Sequence, residues 1–520
     1  MELLMKNIHM CRLGKQSSMM VTLEEDFNVP DVKPDVEQII QSKERIVLEQ
    51  TRAEKGKLRA SGFLEVRILY MDDTKAHELH RLETKLSFDE SIPMEQLEAG
   101  EAVRLSCETE DLNAALINSR KLAVRAVLKF DASVEEIYDL SAAADVRTDL
   151  VVMKQKKKIE MMQAEVQKKD ILRIREETAV PSNKPNIKEI LWENVQLRSS
   201  RIQQREGKLG VQGKLLLFVL YRADDETGSV QWMEQVLPLD GEMECGGCSA
   251  EMIPDIEVSL AQCDLSAKED SDGELRLLKL EGVLELEIRL YQNEEAEILE
   301  DIYSPTKRLV PAVSEETYES LLMKNSSRCR ASGKIRIQGA KPRILQICQI
   351  NGSVKIDKTE MVEEGIRIEG AVPVSILYIS AEDSMPFAVL EGAVPFTHIA
   401  EVPGIEEHCR FTLRTSLDQL SATMADSEEI EVKFTANLDL FVVRYLTQQC
   451  IHEIDEQEYD PKELEAVPGM VGYIVQEGDT LWKIARSYFL TPEQIVEMNQ
   501  LESEEIKKGD RLILMKNSNG

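Results

Sequence analysis

Positive charge is scarce in this sequence: 63 Lys and Arg face 95 Asp and Glu, leaving a formal net charge of −32. Such a balance repels polyphosphate, so no nucleic acid is expected as a partner. Aromatic side chains make up only 5%, too few for a stacking platform under single-stranded bases. No stretch reaches the roughly eighteen consecutive apolar residues of a membrane helix, and no transmembrane segment is expected. Residues Met1 to Met20 include Glu2, Lys6, His9, Arg12 and Lys15 in place of the apolar run of an export signal. The cysteines, at 11, 107, 245, 248, 263, 329, 348, 409 and 450, are odd in number and show no paired spacing. A disulfide framework is therefore not expected, and a reducing, cytoplasmic compartment is.

What is present is the composition of a folded protein, 42% hydrophobic and 30% charged over 520 residues, long enough for roughly three or four domains. Much of it is an internal triplication. Lys33-Pro34-Asp35-Val36 recurs as Lys184-Pro185-Asn186-Ile187 and Lys341-Pro342-Arg343-Ile344. In each copy a glycine lies 28 residues after the proline, and a Leu-Tyr pair ends 8 residues later, at Tyr70, Tyr221 and Tyr378. Apolar residues also coincide at Val36/Ile187/Ile344, Ile39/Ile190/Ile347 and Ile46/Leu197/Val354. The prolines are 151 and 157 residues apart, far beyond a solenoid period, so each copy is a domain with its own core.

Period-two alternation marks strands late in every copy: Leu122 to Phe130, Leu284 to Leu290, and Ile430 to Leu440. The expected fold is mainly β: three tandem β-rich repeat domains over 19–150, 171–305 and 327–450. Residues 151–170, rich in Lys, Gln, Met and Glu, read as a helical linker. Their basic run, Lys154-Gln155-Lys156-Lys157-Lys158, reads as a solvated face, with contact to an anionic surface as the alternative. Residues 451–472 hold seven acidic residues and one lysine, and read as a solvated, flexible acidic linker.

Residues 473–515 form a separate small α+β (βααβ) module. Tyr473-Ile474-Val475 is a strand, Gly478-Asp479-Thr480 a turn and helix cap, and Leu481, Ile484, Ala485 and Tyr488 a helical core stripe. Thr491-Pro492-Glu493-Gln494 carries the capping box of a second helix, and Arg511 to Met515 is the closing strand. Over its whole length this segment resembles the LysM family, through Tyr473, Val475, Gly478 to Leu481, Ile484-Ala485, Asn499 to Leu501, Ile506 and Gly509 to Leu512. The resemblance implies a groove for N-acetylglucosamine polymers such as peptidoglycan, between Gly478, Asp479, Thr480 and Leu481 on one side and Met498, Asn499, Gln500 and Leu501 on the other. The same positions have structural duties in turns and caps. Trp482 lies off the core stripe beside Lys483, an anchor for a protein interface or a shield over the strand pair. With Ile474, these residues form the expected partner-binding set.

Catalytic patterns are missing. His77-Glu78-Leu79-His80 lacks the spacing of a zinc protease motif, and Gly207, Gly210, Gly213 and Lys214 lack the spacing and hydroxyl of a phosphate loop. Cys245-Gly246-Gly247-Cys248, with Cys263 near, offers no fourth ligand for structural zinc and reads as an ordinary loop. No catalytic residue, metal site or cofactor is expected, and the protein is not expected to be an enzyme.

The Lys-Pro, Gly and Leu-Tyr triplets, ahead of a terminal LysM-like module, resemble the SPOCS repeats of clostridial spore-coat assembly proteins. That resemblance implies a scaffold in the mother-cell cytoplasm, peripheral at the outer forespore surface. It implies a LysM module that binds the coat basement-layer ATPase (stage IV sporulation protein A), and repeats that bind other coat proteins. Its modules on flexible connections would gain avidity through effective concentration. The alternative is a cell-envelope protein that binds peptidoglycan.

Overall fold

The structure, a computed structural model, describes residues 1–74, 76–337, 339 and 341–515, without the side chains of 8–13 and 135–140. The first repeat contains β1 (Glu2–Asn28), β2 (Val36–Glu54), β3 (Lys57–Asp72), β4 (Leu79–Pro93), β5 (Val103–Asn118) and β6 (Lys121–Arg147). They form two antiparallel sheets, ordered β2-β3-β4 and β1-β6-β5. The second repeat copies this with β7 (Met153–Ala179), β8 (Ile187–Arg205), β9 (Lys208–Ala223), β10 (Val230–Glu244), β11 (Ile253–Glu269) and β12 (Leu275–Tyr303). The third has β13 (Arg308–Arg336), β14 (Ile344–Gly352), β15 (Lys355–Val362), β16 (Gly365–Ser380), β17 (Phe387–Glu401), β18 (Cys409–Met424) and β19 (Glu429–Gln457), its first edge strand being split into β14 and β15. In each repeat the alternating residues of the two sheets face each other. Leu64, Val66 and Ile68 of β3, for example, meet Val124, Ala126 and Leu128 of β6 in one core.

The triplicated motif now has a mechanical explanation. Each tyrosine is fully buried in its own sandwich, and its hydroxyl donates to the carbonyl of the Lys-Pro proline: Tyr70 to Pro34 at 3.2 Å, Tyr221 to Pro185 at 3.1 Å, Tyr378 to Pro342 at 2.9 Å. A polar tip deep in a core needs such a partner. Each preceding leucine points the opposite way, as strand pleating requires. Leu69, Leu220 and Leu377 meet in a core shared by all three repeats, with Ile40, Leu191 and Cys348 around them. Because β3, β9 and β16 are covered on both faces at this end, their sequence there is continuously apolar. Gly62 and Gly370 sit where the edge strand bulges against them. A Cβ there would lie 2.1 Å from the Val47 carbonyl oxygen and 2.3 Å from that of Lys355.

The strand pairs β1/β6, β7/β12 and β13/β19 run far past their sandwiches as two-stranded ribbons. The ribbons pack together. Ala142, Ile159, Met161, Ala296, Ile298, Tyr318 and Cys450 form one shared layer, and Ala143, Val146, Leu299, Ile302, Leu309 and Ile451 the next. Charged contacts also cross between repeats. Glu193 of β8 is buried and receives Arg67 and Arg81 of the first repeat, the latter at 2.9 Å, while Asp255 of β11 is buried between Arg289 and Arg414.

Three expectations are corrected here. Residues 151–170 are not a helical linker: from Met153 they are strand β7, paired with β12 from Tyr303↔Met153 onward. Tertiary pairing overrides the helix preference of Lys, Gln and Met, because Ile159 and Met161 fill the ribbon core. The lysine run is tied down on this strand, with Lys154 and Lys156 at 2.6 and 2.9 Å from Asp145. Residues 451–472 are not a free acidic tether either. Up to Gln457 they complete β19, and the helix α1 (Pro461–Ala466) follows. The repeats themselves share cores, so they are not modules on flexible connections.

Candidate binding site

Beyond α1, the chain forms β20 (Met470–Ile474), α2 (Leu481–Ser487), α3 (Pro492–Asn499) and β21 (Arg511–Met515), with β20 antiparallel to β21. The strand-helix-helix-strand order is the expected one, and the core stripe of Leu481, Ile484 and Ala485 is buried with Val475, Leu490, Ile495, Leu512 and Leu514. The capping box is present: Thr491 Oγ1 accepts from the Gln494 amide at 3.2 Å, and Gln494 Oε1 accepts from the Thr491 amide at 2.9 Å. Gly478 adopts φ +85, a conformation that favours glycine at this turn.

The polar residues expected to line the groove are occupied within the module. Asp479 Oδ2 accepts from the Tyr473 hydroxyl and the Gln476 amide, each at 2.7 Å. The amide of Gln476, then the tyrosine hydroxyl, hold the Asp479 carboxyl below its ordinary range, while the shared proton lifts the Tyr473 phenol. Thr480 is the N-cap of α2, accepting from the Lys483 amide at 3.2 Å, and Lys483 Nζ reaches back to the Gly478 carbonyl at 3.0 Å. Asn499 bridges α3 to the closing strand through the Ile495 and Ile513 carbonyls, both at 2.9 Å, and accepts from the Ile513 amide at 2.6 Å. Gln500 is the left-handed C-cap of α3. Leu481, 3% exposed, lies beneath the surface as core. Met498 and Leu501 are half-buried, and Ile474 is exposed.

Trp482 is off the core stripe as expected, yet it is not a free surface anchor. Its indole Nε1 donates to Asp301 Oδ2 at 2.9 Å, and its ring stands edge-on to Tyr303 with centroids 4.8 Å apart. Arg486 Nη1 pairs with the two oxygens of Asp301 at 3.0 and 2.8 Å. Tyr303, 2% exposed, donates to the Leu490 carbonyl at 3.0 Å, and its phenol is pushed up by burial and then by Glu493. Tyr459 packs edge-on against Phe489 at 4.6 Å and donates to the Ser304 carbonyl. The module is thus seated on the end of β12. Asp301, Tyr303 and Tyr459 escaped sequence reasoning because they lie outside any motif, 170 or more residues away in the case of the first two. The bulge between Leu299 and Asp301, just before the first two, leaves no sequence signature.

Elsewhere, Cys245 and Cys248 are buried in the second sandwich core, closing a turn in which the Cys248 amide donates to the Cys245 carbonyl at 3.0 Å. His80 braces its hairpin through Asp72 at 3.0 Å, and Asp72 also accepts from the amides of Thr74 and Glu78. Clefts open between repeats, one beside Leu48, Lys169 and Glu285 and another beside Arg198, Glu234 and Asp418. Among the described residues, no helix is long and apolar enough to cross a membrane.

Residues 35–117, 186–268 and 343–425 match the family described as SipL, SPOCS domain, and residues 473–514 match the LysM domain. Each SPOCS match begins just after the Lys-Pro pair and covers the sheet that carries the Leu-Tyr pair, together with one edge strand of the other sheet, β5, β11 or β18. No curated protein and no solved structure matches the chain.

Proposed function

For a chain that carries three SipL SPOCS domains followed by a LysM domain, we propose the role of a non-enzymatic scaffold in spore-coat assembly. The matched domains are binding modules and not catalytic ones, which fits a sporulation or cell-envelope binding protein. In this reading the three repeats form one rigid platform at the outer forespore surface, facing the mother-cell cytoplasm. The LysM module, held at one end, captures the coat basement-layer ATPase (stage IV sporulation protein A), and the repeats engage other coat proteins. The binding set is Ile474, Gly478 to Lys483 and Met498 to Leu501; within it Leu481 acts from beneath, and Asp479, Thr480 and Asn499 shape the face through their bonds within the module instead of bonding to the partner.

The observation that carries this over a glycan partner is the state of the groove. Asp479, Thr480 and Asn499, whose side chains would meet sugar hydroxyls, already make hydrogen bonds within the module. On its other sheet face, Met470, Ile474 and Ile513 are 64%, 54% and 51% exposed. Clustered exposed apolar side chains suit a protein surface better than a hydroxylated polymer. The test is capture of the purified ATPase by the full chain and by a chain ending at Gln457, which keeps all three repeat cores. Capture by the full chain, lost in the shortened one, is expected. Equal capture by both would overturn the assignment to the LysM domain.

A further inference from the structure

The seat of the LysM domain bears on how its binding face is controlled, an inference that rests on the reading above. We infer that the contact between α2 and the end of β12 is an autoinhibitory latch: Asp301 and Tyr303 hold Trp482 and Arg486, and a protein partner reaches Trp482 only by displacing that contact.

One carboxylate does most of the polar fastening. Asp301 accepts from Trp482 Nε1 at 2.9 Å and from Arg486 at 2.8 Å, while its side chain remains 27% exposed. A charge pair this open to water is readily exchanged. The β12 bulge separates two duties, since Leu299 and Ile302 enter the ribbon core while Asp301 turns to the module. Opening the latch therefore leaves the ribbon packed. The LysM domain also keeps its own core, with eight buried residues of its own from Val475 to Leu514. The connection between them is slender: α1 buries no residue, and Val467-Pro468-Gly469 follows it. Tyr459 against Phe489 lies beside this connection and forms the second fastening.

A partner whose site is open in only a fraction of molecules binds more weakly by that fraction. Asp301 belongs to the second repeat, so changing it leaves the LysM surface intact. In the full chain, Asp301→Arg is expected to raise affinity for the coat ATPase about tenfold and to speed hydrogen exchange over residues 481–490. Arg486→Asp should open the latch from the other side, and the double variant Asp301→Arg/Arg486→Asp should re-form the pair and return both readouts toward wild type. Faster exchange with unchanged or weaker binding in Asp301→Arg would overturn the latch and make the contact a mount that positions the domain. Unchanged exchange in Asp301→Arg would overturn it too. Failure of all four proteins to bind would instead sink the functional reading, and the latch with it.

Discussion

Truncating the leucines at the shared core probes the claim that the three repeats form one body. Leu69, Leu220 and Leu377 are each 1% exposed or less and lie in one cluster drawn from all three repeats. A buried Leu→Ala change in a well-packed core costs about 3 kcal/mol, through lost transfer energy plus the cavity left behind. Each single variant should therefore lose about that much in denaturant unfolding followed by far-UV circular dichroism. The three sites belong to one packed cluster, so a second truncation acts on neighbours already loosened by the first. A double variant such as Leu69→Ala/Leu220→Ala should depart from the sum of its singles by roughly 0.5 kcal/mol or more. Independent beads on flexible connections would give strict additivity. Singles costing under about 1 kcal/mol, or doubles that simply add, would refute the shared core.

Glycine replacement should separate the repeats. Gly62→Ala and Gly370→Ala place a Cβ within 2.1 and 2.3 Å of a backbone oxygen, whereas at Gly213 the nearest atom is 3.3 Å away, so thermal unfolding should show the first two as clearly more damaging. Equal losses at all three would contradict the bulge geometry. Lys43, between the first two repeats, offers a pH test: burial pulls its ammonium from 10.5 down to about 8, against the opposing pull of Glu193. With the folded value below the unfolded one, the charged lysine destabilises the fold below pH 8, and that cost fades as pH rises toward 10. Lys43→Met should then be at least as stable as wild type at pH 7, with wild type gaining on it between pH 8 and 10. Melting curves showing wild type losing ground over that range would refute the sign.

The strand content and the triplication were legible because alternation and fixed spacing are local properties of the chain. The meaning of the Leu-Tyr pair was not, since one side chain serves its own sandwich and the other a core built with two distant repeats. Residues 151–170 misled for a related reason: their composition favours helix, and only the pairing with β12 makes them strand. Within the LysM domain the caps were readable and so was the core stripe through Leu481, Ile484 and Ala485, while Tyr488 is half-buried at the C-cap of α2. The occupation of Trp482 was not, because its partners Asp301 and Tyr303 come from another domain and nothing in the local sequence points to them.

In the proposed role the LysM domain serves protein recognition. The most direct test mixes the full chain with insoluble peptidoglycan and, separately, with the immobilised coat ATPase. Retention by the ATPase and none in the peptidoglycan pellet is expected. Sedimentation with peptidoglycan, without capture by the ATPase, would contradict that role.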